Sequence, residues 1–196
     1  MNDYIASLLA LPLMQKLSQL APEINLRLLP STNIDATAML ERNEIDLAIG
    51  AISATKPRLM TQNLFTDYYL CGMGKNHPLA KGKLTLDKFV RANHLLITLT
   101  GEATGFVDRI LQEKGLQRRI VMTVNQFAIA PEILAHTDLI AAVNYRSIQH
   151  SVFAGDLHLT KLPFEHTPIS VNMMWHDRKS QDEAHYWLRQ CITTCL

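Results

Sequence analysis

Cysteine is scarce in this chain: three in 196 residues, Cys71, Cys191 and Cys195. An odd number with no C-x-x-C pair argues against a disulfide framework and for a reducing compartment. Cys191 and Cys195 share a helical spacing, and so close to the chain end they read as packed or frayed thiols. An excess of one charge is also lacking. The 19 Lys and Arg nearly balance the 18 Asp and Glu, leaving +1. Such a balance does not nominate a nucleic-acid surface, and the small basic clusters Arg118-Arg119 and Lys81/Lys83 read as solvated faces. No apolar run reaches the roughly 18 residues that span a bilayer. No charged-then-apolar leader precedes a small-residue cleavage site. Catalytic signatures are missing as well. There is no H-E-x-x-H, no H-x-H and no Cys/His cluster with metal-ligand spacing; no G-x-S-x-G elbow or P-loop occurs. These absences set the expectation of a soluble cytoplasmic protein that is not an enzyme and needs neither metal nor cofactor.

What the chain has is apolar residue, 47% of the total, enough for one large domain or two small ones. Residues 36–50 are the most informative stretch. Ala36 to Arg42 are good helix formers, and Asn43 can end the helix because Asn tolerates the left-handed conformation. Ile45 to Ile49 form a nearly continuous apolar run closed by Gly50, which suits a strand buried on both faces of a parallel sheet. The pattern recurs: Ala130–His136 reads as helix, Thr137-Asp138 as punctuation, and Leu139–Val143 as another buried run. Two such units predict two similar α/β lobes, and two lobes make a cleft for a small molecule.

Ile5, Leu9, Leu13, Leu17 and Leu20 recur at helical spacing and predict a first helix ending near Leu20, capped by Asp3 or Ser7. Pro12 fits only a first turn, which would move the start to about Leu8. Ile24–Leu29 reads as a strand. Asn33 is placed to cap a helix over Asp35–Arg42, and Ile45–Ile49 completes a right-handed β-α-β unit. Residues 51–57 read as loop and Leu59–Met73 as one or two extended strands. Thr85 caps a short helix over Leu86–Ala92, His94–Thr98 is strand-like, and Phe106–Lys114 is a helix ended by Gly115. Arg119–Val124 reads as strand, Gln126–His136 as helix, Asn144–His150 as a short helix. Leu157–Pro163 is the expected return connection, Ile169–Trp175 a strand, and Ser180–Glu183 opens a last helix. One lobe is thus expected at 1–72 and 161–196, the other at 73–160.

The layout resembles the effector-binding domain of LysR-type transcriptional regulators over essentially the whole chain. The matching segments are Leu11-Pro12-Leu13-Met14, Ala21-Pro22, Leu40–Gly50, Asn76-His77-Pro78-Leu79-Ala80 and Thr137-Asp138-Leu139-Ile140. Asp3-Tyr4-Ile5, Phe127–Pro131, Trp175-His176 and Trp187-Leu188-Arg189 are most similar to the branch of the nodulation, naphthalene/salicylate and nitrotoluene regulators. The resemblance implies an α/β fold of two Rossmann-like lobes joined by two crossing strands, as in type 2 periplasmic binding proteins, with an effector between them. It also implies self-association as homodimer or tetramer, first-lobe helix against second-lobe helix. DNA binding would belong to a winged helix-turn-helix of a full-length parent. Met1 falls where the effector domain of the family begins.

Within that frame the residues suggest where to look. The open end of the first helix, at Asn2, Asp3 and Tyr4, offers N–H groups that favour a carboxylate. Ser31 and Thr32 follow a strand end with hydroxyls. Thr98, Thr100 and Gly101 form a loop of N–H and hydroxyl donors, and Gln126 and Phe127 start a helix with an amide and a ring. Relatives that bind aromatic acids tend to carry histidine where this chain has Gln126, which supplies no cationic donor. Each position also has a structural reading: Thr100 and Asn125 as caps, Tyr4 and Phe127 as core, Ser31 and Thr32 as turn, His176 as a satisfied structural histidine. Two other functions share the bilobal fold, a transport-type solute-binding protein and an enzyme.

Overall fold

A computed structural model describes residues 1–54 and 56–196, with the backbone alone for Asn33 and Ile34. Thr55, within the loop expected at 51–57, lies outside the described residues. The chain divides into two compact units. Unit 1 holds Met1–Asp67 and Ile169–Leu196; unit 2 holds Tyr68–Pro168.

Unit 1 opens with α1 (Asp3–Leu20), which buries Ile5, Leu9, Leu13 and Leu17 along one stripe. The helix does not wait for Leu8. Asn2, rather than Asp3 or Ser7, is its N-cap, accepting from Ile5 N at 3.0 Å. Pro12 therefore sits inside the helix, where the Leu8 carbonyl loses its N–H partner and buried side chains on both sides hold the turn. Next comes α2 (Asn33–Glu41), capped by Thr32 rather than Asn33, with Asp35 N donating to Thr32 Oγ1 at 3.2 Å. Asn43 takes φ 58°, the left-handed stop expected of it.

The sheet of unit 1 differs from the expected parallel one. It has three strands in the order β1-β8-β2, both pairings antiparallel. These are β1 (Ala48–Gly50), β2 (Leu59–Asp67) and β8 (Ile169–His176). Ile24–Leu29 joins no ladder, so the predicted parallel β-α-β unit does not form, and β1 is an edge strand. The apolar run does end in buried strand, but only over Ala48–Gly50; nothing in it named a partner strand. Packed on this unit is α7 (Glu183–Thr193), capped by Asp182 with acidic Glu183 in its first turn.

Unit 2 is built on a five-stranded sheet in the order β5-β4-β6-β3-β7. Its strands are β3 (Tyr69–Gly74), β4 (Asn93–Ile97), β5 (Arg119–Val124), β6 (Leu139–Asn144) and β7 (Leu157–Lys161). Here parallel pairing does occur, β4 with both β5 and β6, while β3 runs antiparallel to β6 and β7. Its helices are α3 (Leu86–Arg91), α4 (Phe106–Glu113), α5 (Ala130–His136) and α6 (Tyr145–Gln149). Two apolar clusters pack the sheet, one around Phe89, Met73 and Leu111, the other around Leu95, Leu134 and Ile148. Gln126 and Phe127 do not start α5, which begins four residues later. Pro131 has no N–H and fits only the first turn.

Candidate functional site

In unit 1 the candidate residues gather at the start of α1. Asn2, Asp3 and Tyr4 begin the helix, and Met1 N donates to Ser31 Oγ at 3.1 Å and to Leu29 O at 3.0 Å. That pair of bonds brings Ser31 beside the helix end, with Thr32 following. The helix end is less open than the sequence suggested: Ile5 N and Ala6 N are taken by the Asn2 side chain and carbonyl. Thr32 Oγ1 is occupied too, donating to Asp35 Oδ2 at 2.6 Å. Tyr4 is buried, and its hydroxyl donates to Asp67 Oδ2. Asp67 is only 1% exposed. Sequence reasoning missed it, because an Asp at a strand end reads as surface.

In unit 2 the candidates lie at the carboxyl ends of two adjacent parallel strands. Thr98, Thr100 and Gly101 follow β4; Gln126 and Phe127 follow β5. Thr98 N donates to Val124 O at 2.9 Å and ties the two loops together. Gly101 takes φ 79°, a conformation glycine adopts without steric cost. The carboxyl ends of parallel strands are where open α/β sheets place ligands. The Thr98 hydroxyl, however, donates to Glu102, a residue the sequence reading passed over. Hydrogen bonds from Thr100 and Thr98 hold the Glu102 carboxyl below its ordinary range. Gln126 is exposed and Phe127 half-buried.

A polar chain links the first turn of α4 to the amino ends of β4 and β5. Arg118 binds Asp108 through two bonds of 2.8 Å, with the arginine side chain 1% exposed. Gly105 N donates to the same carboxylate at 2.7 Å, which fixes the start of α4. Burial pushes the Asp108 carboxyl up, but the Arg118 bonds and the Gly105 N–H outweigh it and hold it below its usual value. His94 is fully buried, its Nε2–H donating to Phe89 O at 2.7 Å and its Nδ1 accepting from Arg118 at 3.3 Å. Burial, then the Arg118 charge, push its pKa down to about 4, so the ring is neutral.

Several motif residues turn out to be structural. His77 accepts from Leu79 N at 3.0 Å and its Nε2 meets Asp138 O at 3.1 Å, fastening the end of β3 to the start of β6. His176 is 8% exposed and accepts from Arg178 N. Trp175 donates to Ser180 Oγ at 3.1 Å, and the buried Arg189 guanidinium stacks over its ring at 4.4 Å. Cys71 is buried, which pushes its thiol up to about 12; a thiol so protonated is a poor nucleophile. Among the described residues no His/Cys/Asp/Glu group is placed to hold a metal ion. Among the described residues no helix is long and apolar enough to cross a membrane.

The sequence matches the LysR substrate binding domain over residues 1–195. It is 31% identical to the HTH-type transcriptional activator NagR of a Ralstonia species, covering 91% of this chain and 60% of that protein. It is 30% identical to the HTH-type transcriptional activator NahR of Pseudomonas putida, covering 92% of this chain and 60% of that protein. The chain thus spans about three fifths of these curated relatives. Among solved structures, the regulatory domain of MexT, a transcriptional activator in Pseudomonas aeruginosa, superposes with a TM-score of 0.84 at 28% identity. That match covers all of this chain and 94% of the other. With the family matched from end to end and two α/β units in place, the chain belongs to the LysR substrate-binding family, the effector-binding domain of LysR-type transcriptional regulators.

Proposed function

We propose that this chain senses a small-molecule effector for a cytoplasmic transcriptional regulator and does so without catalysis. The contacts come from Asn2, Asp3, Tyr4, Ser31 and Thr32 on unit 1 and from Thr98, Thr100, Gly101, Gln126 and Phe127 on unit 2. One observation carries the reading: all five unit 2 candidates sit at the carboxyl ends of adjacent parallel strands, the place where such sheets bind ligands. Gln126 supplies an amide without charge, so a carboxylate effector gains no ion pair from it. The units are the two regulatory subdomains. Effector binding shifts the population of their arrangements, by no more than its differential affinity for them. DNA is contacted by a helix-turn-helix of the full-length parent, as the names of NagR and NahR imply for those proteins.

Self-association uses the exposed apolar side chains of each unit. It sets a helix of unit 1 against a helix of unit 2 in another copy, and on α1 the exposed apolar side chains are Leu11, Met14 and Leu20. A thermal-shift screen of aromatic acids, phenolics, flavonoids and aliphatic acids tests the sensor reading. A ligand at a hundred times its Kd adds about 2.7 kcal/mol, which raises the midpoint by roughly 5–10 °C for a chain of this size. One responding class is the expected result; no response from any class overturns the assignment.

A further inference from the structure

The hydroxyl donors of the unit 2 loop already hold a carboxylate, and it belongs to the chain itself. Thr98 is the first residue after β4, and its backbone N–H is fixed to Val124 O at 2.9 Å. Gly101, at φ 79°, turns the chain back on itself. The next residue, Glu102, returns to Thr98, whose hydroxyl donates to its Oε2. We propose that Glu102 is a displaceable stand-in for the effector, its carboxylate occupying the hydroxyl donors that a carboxylate group of the effector takes over on binding. This inference rests on the effector reading above and names the chemistry of that site: an anionic group recognised without a cation.

The donor set supports it first. Three groups converge on the Glu102 carboxylate: the hydroxyls of Thr100 and Thr98 and the N–H of Glu102. Together they hold it below its ordinary range, so the arrangement favours a charged carboxylate over a neutral acid. Donors that stabilise one carboxylate stabilise another in the same place. No cation is among these partners, and Gln126 beside the loop adds an amide rather than a charge.

Exposure is the second point. Glu102 lies on the surface, unlike Asp108, whose carboxylate is locked to a buried guanidinium by two bonds. A side chain that leaves a surface contact passes straight into water. Exchange of one carboxylate for another therefore keeps the hydrogen bonds and strands no buried charge. Position is the third. The loop stands at the carboxyl ends of the adjacent parallel strands β4 and β5, where such sheets bind ligands.

A tethered competitor acts at a fixed local concentration. It lowers the apparent affinity by the fraction of chains in which the donors are free. One net hydrogen bond to a charged group corresponds to about tenfold, so releasing the donors should tighten carboxylate binding by about that factor. An uncharged ligand of the same shape accepts less strongly and should gain little.

Benzoate and its uncharged counterpart benzamide, titrated into the chain and followed by amide NMR, test it. In Glu102→Gln, whose neutral amide is the weaker acceptor, benzoate should give saturable shifts at Thr98, Thr100 and Gly101. Its Kd should be about tenfold below that of the unaltered chain, with benzamide little changed. Glu102→Asp separates displacement from repulsion: it keeps the charge but is one carbon shorter and loses its reach to Thr98, so it too should tighten benzoate. Both substitutions lie on the surface and should leave the thermal midpoint little changed. Equal benzoate affinity in the unaltered chain and in Glu102→Gln overturns the proposal. So does tightening in Glu102→Gln alone, which would make Glu102 a repelling charge and no more, and so does absence of benzoate shifts at these amides in Glu102→Gln. A compound from the thermal-shift screen that binds unit 2 equally well with and without the Glu102 carboxylate leaves the effector reading standing and sinks only this one.

Discussion

Acidification should loosen unit 2 through one side chain, His94. Its ring is fully buried between Phe89, 4.6 Å away edge to face, and the Arg118 guanidinium. In the unfolded chain it titrates at about 6.5; in the fold, burial and the Arg118 charge bring it down to about 4. A depressed histidine pKa means that the unfolded state takes up the proton first. Stability from this group is complete above pH 6.5 and is lost as pH falls toward 4. At about 1.4 kcal/mol per unit, the full loss is about 3 kcal/mol, of which about 2 kcal/mol accrues by pH 5. That corresponds to a midpoint lower by about 4–8 °C at pH 5 than at pH 7. Asp108 does not confuse the window. Its carboxyl is held below its ordinary value, so its contribution goes only below about pH 4. The assay is urea unfolding at several pH values, for the unaltered chain and for His94→Gln, with NMR of the His94 ring. The glutamine variant should be less stable at pH 7 and should lose much less between pH 7 and 5. A His94 ring that titrates near 6.5 in the folded protein, or an undiminished acid loss in His94→Gln, refutes the reasoning.

Asp108→Asn leaves the Arg118 charge buried without its carboxylate and should cost about 3–5 kcal/mol, read as a lower urea midpoint with the slope unchanged. Gly74→Ala should destabilise by about 1–3 kcal/mol, because the added Cβ would lie 2.9 Å from the Leu134 carbonyl oxygen, a backbone atom with little room to move; calorimetry measures it. Asn2→Ala removes the α1 cap bond to Ile5 N and should cost about 1 kcal/mol, visible as a midpoint lower by a few degrees, whereas Asn2→Asp should restore it.

Where local chemistry decides, the fold was readable. The strand Arg119–Val124 and the helix beginning at Phe106 follow from runs of suitable residues bounded by turn formers, and Gly115 and Asn43 take the positive φ their types allow. Two-stranded Leu59–Gly74 was readable as extended chain for the same reason. The pairing of the Ile45–Ile49 run was not, because a continuous apolar run specifies burial and says nothing of the neighbour; the observed antiparallel partner, β8, lies at the far end of the chain. Pro12 misled because its local penalty is certain while the packing that outweighs it is tertiary. At the site, the loop of Thr98, Thr100 and Gly101 after β4 was legible from turn chemistry, whereas Gln126 and Phe127, read as a helix start, lie between β5 and α5. The engagement of Thr98 by Glu102, the burial of Asp67 against Tyr4 and the stacking of Arg189 on Trp175 were not. Charged residue types read as surface, and only the assembled fold reveals which of them are enclosed.

The central claim is that the candidate residues on both units serve one effector. Titration calorimetry of the best compound from the thermal-shift screen tests it most directly, run on the unaltered chain, on Ser31→Ala and on Thr100→Ala. The account predicts saturable binding at one molecule per chain, weakened several-fold by either substitution while each variant stays folded. Binding that is unchanged in both variants would contradict it.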